Sequence, residues 1–155
     1  MSNSCNGPIG VSFIIPVYNK AKHLPGVIKQ IKLQHGDFPK QYVFLDDGST
    51  DDSLDIVRSE TANWENVVIN TQPNSGSASA TNAAITFANQ PYLKFVDADD
   101  LLTDRATIVL LNALMASDAC LIFGGERRFT STSQLNLKGP SDDATIDRIE
   151  YPQKL

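Results

Sequence analysis

Short, β-rich apolar runs alternate with amphipathic stretches along most of this chain, and this alternation limits the possible folds most strongly. Between the first two runs, Leu24, Val27, Ile28 and Ile31 follow the spacing of one helical face. Pro16, which cannot donate to a ladder, is predicted to stop the first run. The runs cover residues 11–15, 42–45, 67–69, 92–96 and 119–123. Strands separated by helices predict an α/β fold with an open, mostly parallel sheet flanked by helices.

Length and charge set the class of protein. The chain has 155 residues, the size of one domain, and a net charge of −5, which argues against a nucleic-acid partner. No run reaches the roughly 18 apolar residues of a membrane span, and the polar start is unlike a signal peptide. We therefore predict a cytoplasmic protein, free or peripheral to a membrane. Residues 1–10 are expected to be flexible, 11–129 to form the domain, and 130–155 to form an irregular tail.

Polar sequences follow three of the predicted strands, at residues 16–19, 46–49 and 97–100. The carboxyl ends of parallel strands share one edge of a sheet, which is where open α/β sheets bind ligands. Clustered carboxylates repel each other, and a hard divalent ion that is also bound by water and a substrate diphosphate would compensate them. Taken singly, Asp47-Gly48 is a common turn, the acids after residue 96 suit a helix start, and Tyr18 suits a core.

Four segments in order carry a family resemblance. They are residues 12–19 (SFIIPVYN), 44–51 (FLDDGSTD), 74–76 (NSG) and 95–100 (FVDADD). The chain resembles the amino-terminal part of a family 2 glycosyltransferase with the Rossmann-like GT-A fold, over residues 11–125. The resemblance implies transfer of a sugar from a nucleotide diphosphate sugar to an acceptor hydroxyl of a glycan, lipid or protein, usually with inversion at the anomeric carbon. It implies a role in polysaccharide or glycoconjugate synthesis.

The resemblance also implies where the nucleotide binds. Pro16, Val17 and Tyr18 would line the base and ribose site, and Tyr18 would offer a stacking surface. Asp47 would accept the ring N–H of the base, a contact that suits a uracil or thymine edge. A UDP-sugar is therefore the expected donor.

The third and fourth segments are expected to contact the rest of the donor. By this resemblance, Asn74 and Gly76 are expected to take part in binding the nucleotide sugar. Asp97 would approach the ribose or the water shell of the metal. Asp99, the second acid of the D-x-D motif, would coordinate Mn²⁺ or Mg²⁺ against both phosphates, where the metal neutralises charge on the departing diphosphate.

The sequence departs from the family pattern in two places. Thr81-Asn82 stands where an Arg-Asn pair is common, so a guanidinium contact to the donor is expected to be missing. The general base of relatives lies on an acceptor-side segment that usually follows the point where this sequence stops, so we assign no catalytic base. Acids toward the end of the chain are not in a recognisable copy of that motif: Glu126, Asp142, Asp143, Asp147 and Glu150.

Two other functions remain open on the sequence alone. The chain could be a nucleotide-diphosphate-binding module, or an inactive fragment that lacks the base. Residues 93–103 also resemble the apolar strand and D-x-D of a haloacid dehalogenase-type phosphatase, but that family's lysine and further acids lie well downstream, and only 55 residues follow Asp100. The phosphatase interpretation leaves the upstream segments unexplained.

Overall fold

The computed structural model describes residues 9–117 and 119–125 of the chain. Four strands alternate with four helices in this part. The strands are β1 (Val11–Val17), β2 (Lys40–Asp46), β3 (Val67–Thr71) and β4 (Tyr92–Phe95). The helices are α1 (Leu24–Lys32), α2 (Ser53–Glu60), α3 (Ser77–Ile85) and α4 (Ala106–Met115).

The strands form one sheet in the order β3-β2-β1-β4, and every neighbouring pair is parallel. Side chains of alternate residues in β1 point to opposite faces. Phe13 faces the core that contains the apolar residues of α1, α2 and α4, whereas Ile14 faces α3. The predicted open parallel sheet flanked by helices is thereby confirmed.

Different residue types pack the two faces. On α1 the four apolar residues predicted from their spacing are all buried, and Pro25 lies in the first turn, where a missing N–H costs little. On α3 the buried residues are Ala80 and Ala84, which are fully covered and pack against Ile14 and Val43. Small side chains let α3 lie close to the sheet, and this brings its first turn to the edge where β1 ends.

Pro16 does not stop β1, contrary to the sequence prediction. It pairs with Leu45 inside the strand, and the ladder with β2 continues to Val17. Val96 donates to the carbonyl of Ile14, so even-numbered backbone groups of β1 face β4. The ladder with β4 ends at Ile14. The missing N–H of Pro16 therefore falls where no described strand would use it.

The predicted fifth strand at residues 119–123 is wrong. These residues are described and pair with no strand, and Leu121 and Phe123 are each 59% exposed. An apolar run forms a buried strand only when a neighbouring ladder and a covering layer receive it, and the described part of the chain supplies neither here. β4 is consequently an edge strand within that part, and Phe95 on it is half exposed.

Parts of the sequence predictions concern residues outside the described ones. The start at residues 1–8 and the tail at 130–155 belong to this group. Within residues 9–117 and 119–125, no helix has the length and apolar character needed to cross a bilayer.

Candidate functional site

A cavity of about 470 Å³ opens at the carboxyl edge of the sheet. The order in which strands are added to the sheet changes direction at β1, because β2 and β3 lie on one side of β1 and β4 lies on the other. Open α/β sheets bind ligands at such a switch point, and the volume is typical of a small-molecule site. The lining residues come from all four loops at this edge and from the first turn of α3: Pro16, Val17, Tyr18, Lys20, Asp47, Asn74, Gly76, Ser77, Ala80, Asp97, Ala98 and Asp99.

All the candidate binding residues predicted from the sequence line this one cavity. Tyr18 is 45% exposed, so its ring offers an open aromatic surface rather than a buried core contact. Asp47 is nearly fully buried but still lines the cavity. Asp97 and Asp99 follow β4, and both are exposed. The fold thus brings together side chains that lie up to 83 residues apart, from Pro16 to Asp99.

Hydrogen bonds between two loops hold the first segment in place. Asn19 adopts a positive φ of 50°, a conformation that Asn tolerates better than most residues. Its Oδ1 accepts from the backbone N–H of Thr50 at 2.8 Å, and its own N–H donates to Ser49 Oγ at 3.0 Å. The N–H of Lys20 donates to Ser53 Oγ at 2.8 Å. These contacts fix the loop after β1, and the sequence analysis did not predict them.

Asp47 fixes the loop at residues 72–76. Its Oδ1 accepts from Gln72 Nε2 at 2.7 Å and from the N–H of Ser75 at 2.9 Å, while Oδ2 accepts from the N–H of Gly76 at 2.8 Å. Burial would raise the pKa of the Asp47 carboxyl, but these three hydrogen bonds outweigh it and leave the pKa below its ordinary value. The Asp47 carboxylate is therefore charged and preorganised, a role that the sequence did not reveal.

Asp46, the neighbour of Asp47, has a different environment because successive residues of a strand point to opposite faces. Its Oδ2 accepts from the N–H of Ser49 and from Thr71 Oγ1, and its Oδ1 is buried without a partner among the described residues. Asp46 is absent from the described lining of the cavity. Of the two adjacent acids, only Asp47 faces the site.

The D-x-D segment is a tight turn that is held by its middle residue. Ala98 is 3% exposed and packs into the core beside α1, and the N–H of Asp100 donates to the carbonyl of Asp97. With the alanine buried, the acids on either side remain at the surface of the cavity. The buried Ala98 between Asp97 and Asp99 thus keeps both carboxylates at the rim of the cavity.

Asp99 forms an ion pair with Lys20, which sequence reasoning missed. Lys20 Nζ lies 2.5 Å from Asp99 Oδ2, and the two side chains are 35% and 40% exposed. The hydrogen bond from Lys20 holds the pKa of the Asp99 carboxyl below its ordinary value, and the charge of His23 acts in the same direction. A negative charge at Asp99 therefore already attracts a cation into this part of the cavity.

The donor set fits a divalent ion that is shared with a substrate. Within the described residues, no group of three or more His, Cys, Asp or Glu side chains could hold a metal by itself. Mg²⁺ and Mn²⁺ commonly keep waters and bind through one or two carboxylates together with substrate phosphates. Asp99 offers such a carboxylate, and the Lys20 ammonium marks a position where a positive charge is stabilised.

Gly48 gives the first testable prediction, because its replacement should displace the loop at residues 72–76. Gly48 has a φ of +71°, and an added Cβ would lie 2.9 Å from the backbone nitrogen of Asn74. We expect Gly48→Ala to lower the free energy of unfolding by about 1–3 kcal/mol, measured by urea denaturation. Gly26→Ala is the control, because a Cβ there meets only Leu101 at 3.5 Å. That helical substitution should be neutral or stabilising, and equal stability losses in the two variants would contradict the prediction.

No catalytic base was predicted from the sequence, and we assign none among the described residues. The late acids of the sequence, from Glu126 onward, all lie outside the described residues. The described site is thus a cavity with an aromatic surface, a buried acceptor, an acidic rim and one ammonium group.

Comparison with known proteins adds a family and relatives of known structure. The family model "Glycosyl transferase family 2" matches residues 12–152. A chondroitin synthase of Pasteurella multocida is 33% identical over 105 residues, which are 68% of this chain and 11% of that protein. Staphylococcus aureus TarS 1-349 in complex with UDP superposes with a TM-score of 0.60 at 30% identity, covering 70% of this chain and 32% of that one.

A second solved structure extends this similarity. The mannosyltransferase PcManGT of Pyrobaculum calidifontis, in complex with GDP-Man and Mn²⁺, superposes with a TM-score of 0.62 at 25% identity. The alignment covers 76% of this chain and 34% of that one. The chain thus spans about a tenth of the synthase and about a third of each solved relative.

Proposed function

Because the chain belongs to glycosyl transferase family 2, we propose that it binds a nucleotide diphosphate sugar and takes part in transfer of the sugar to an acceptor hydroxyl. The donor is a UDP-sugar, and the divalent ion is Mn²⁺ or Mg²⁺. The observation that carries this proposal is the convergence of Tyr18, Asp47 and Asp99 on one cavity at the carboxyl edge of the sheet. An aromatic face, a charged acceptor and a metal-binding carboxylate are the groups that a nucleoside diphosphate requires.

The remaining hydrogen-bonding capacity of Asp47 supports uracil over guanine. An ionised carboxylate accepts about four hydrogen bonds, and three are already made by Gln72, Ser75 and Gly76. One acceptor site on Oδ2 is left for a ligand. Uracil presents a single ring N–H between two carbonyls, whereas guanine presents a ring N–H and an adjacent amino group. The carboxylate of Asp47 therefore matches the single donor of uracil.

In this proposal each residue of the site has a defined task. Tyr18 stacks on the base, and stacking of a base on an aromatic ring contributes about 1–3 kcal/mol. Asp97 approaches the ribose, and Asp99 holds the divalent ion beside the phosphates. Asn74 and Gly76 shape the wall of the cavity at the start of α3. A bound Mg²⁺ or Mn²⁺ would supply Lewis-acid stabilisation of the departing diphosphate.

The acceptor side is proposed from the relatives alone. A chondroitin synthase and a poly(ribitol-phosphate) β-glucosyltransferase of Bacillus spizizenii are among the similar proteins. We propose a polysaccharide or another glycoconjugate as the product, and we propose that residues 11–129 are the donor-binding unit. The family assignment disfavours the phosphatase interpretation of the D-x-D segment. The cytoplasmic location stays a prediction from the sequence.

Calorimetric titration of the 155-residue chain with UDP tests the proposal. We expect UDP to bind about ten-fold or more tightly with Mn²⁺ than with EDTA, because a charge-assisted contact contributes about 1.5–3 kcal/mol. GDP with Mn²⁺ should bind more weakly than UDP, since guanine needs two acceptors at Asp47. Equal affinities with and without Mn²⁺ would contradict the metal-dependent donor site. UDP binding without hydrolysis or transfer from a UDP-sugar would favour the binding-module function.

A further inference from the structure

The charges that line the cavity do not balance a diphosphate by themselves. Three carboxylates face it, and Lys20 is the one Lys or Arg among its described lining residues. Each phosphate of a nucleotide sugar adds a further negative charge. Among the described lining residues, Lys20 is therefore the side chain that can supply a positive charge to the phosphates.

Lys20 is already committed to Asp99, which the proposed function makes a metal ligand. Its ammonium lies 2.5 Å from Asp99 Oδ2, so a divalent ion that binds this oxygen would have to displace the lysine. The backbone of Lys20 is fixed by the hydrogen bond to Ser53 Oγ. Its side chain is about one-third exposed, and the flexible four-carbon stem of a lysine lets the ammonium take other positions while the backbone stays fixed. A fixed backbone with a mobile ammonium allows an exchange of partners inside one cavity.

We propose that Lys20 is a specificity-determining residue with two alternative partners, pairing with Asp99 in the free site and with the donor diphosphate once a divalent ion binds Asp99. The ammonium competes with the ion in the free protein and adds to phosphate binding in the complex. This inference rests on the proposed function, since it requires a diphosphate and an ion at the same rim. It predicts effects of opposite sign on two separate affinities, whereas a merely structural role would move both in one direction.

The test uses Lys20→Met and two separate titrations. Mn²⁺ alone is titrated and followed by electron paramagnetic resonance of the free ion, and UDP is titrated by calorimetry at saturating Mn²⁺. We expect Mn²⁺ alone to bind about three-fold more tightly, the effect of removing an exposed ion pair. We expect UDP to bind about ten-fold more weakly, the effect of losing a charge-assisted hydrogen bond.

Two further variants make the result specific to this position. Lys22→Met removes the same charge from an exposed side chain two residues away that is not among the described lining residues, and it should leave both affinities unchanged. Lys20→Arg keeps a cation and should hold UDP affinity within about three-fold of the natural protein. Circular dichroism verifies that each variant is folded. If Lys20→Met does not fold, Lys20→Gln takes its place with the same expectations.

The outcomes separate this inference from the proposed function. The role of Lys20 would be overturned if Lys20→Met leaves the affinities for Mn²⁺ and for UDP unchanged, or moves both in the same direction. This holds even if UDP binding depends on Mn²⁺ and Asp99. A natural protein that fails to bind UDP at all would overturn the proposed function, and the inference with it. Tighter Mn²⁺ binding together with weaker UDP binding, absent from Lys22→Met, supports both.

Discussion

Asp99→Asn is expected to remove the metal-dependent part of UDP binding. The substitution preserves the shape of the side chain but removes its negative charge. That charge attracts a cation into the cavity, and in the free protein it pairs with Lys20. We expect UDP affinity in Mn²⁺ to fall about ten- to 100-fold, to the level measured in EDTA, because a carboxylate is a far better ligand than an amide for a hard divalent ion. Isothermal titration calorimetry with and without Mn²⁺ measures this effect.

Asp55→Asn provides the matched control for this variant. This substitution makes the same change in net charge on α2, where the Asp55 side chain is 83% exposed and pairs with Arg58 at 3.6 Å. Its UDP affinity and Mn²⁺ dependence should equal those of the natural protein. Retention of Mn²⁺-dependent binding in Asp99→Asn, or an equal loss in both variants, would refute the role of Asp99.

Asp47→Asn is expected to weaken both the fold and the site. The amide nitrogen that replaces one carboxylate oxygen cannot accept the N–H of Gly76 or, in the other orientation, the donors from Gln72 and Ser75. We expect the free energy of unfolding to fall by about 1–3 kcal/mol, because at least one part-buried hydrogen bond to the charged carboxylate is lost. UDP affinity should fall about ten-fold or more, since the acceptor for the base N–H is also damaged. Urea denaturation and calorimetry give the two values.

The pH dependence of this stability difference provides an internal check. Asp47 has a pKa below its ordinary value of 3.8 in the folded chain, so its ionised form contributes stability. That contribution is complete above the ordinary value and is lost as pH falls through the folded-state pKa. The difference between the natural protein and Asp47→Asn should therefore be constant near neutral pH and shrink in acid. A difference that stays constant down to the acid range would contradict a role for the Asp47 charge.

The sequence was informative about the fold wherever local chemistry and tertiary packing agree. The alternation of apolar runs with helical spacing predicted the parallel sheet, and the four apolar positions of α1 are all buried. The prediction for Pro16 was wrong because the cost of its missing N–H depends on which neighbour the backbone faces. The fifth strand was wrong for a similar reason, since an apolar run forms a strand only with a partner ladder beside it. Both errors concern contacts that lie far away in the sequence.

The same division holds for the site. The rule that parallel strands share a carboxyl edge correctly predicted that Tyr18, Asp47 and Asp99 would meet at one cavity. What the residues bind remains a proposal. The network that holds the loop at residues 72–76 to Asp47 could not be predicted, because its backbone donors have no sequence signature. The pairing of Lys20 with Asp99 was also invisible, since these residues are 79 positions apart and their contact depends on the packing of two loops.

The sharpest test of the proposed donor site is a crystal structure of the chain soaked with UDP and Mn²⁺, with anomalous diffraction recorded for manganese. We expect a manganese peak bonded to Asp99 and both phosphates, with the uracil against the Tyr18 ring and its ring N–H directed at Asp47. Nucleotide bound elsewhere on the chain, or manganese in this cavity without contact to Asp99, would contradict this proposal.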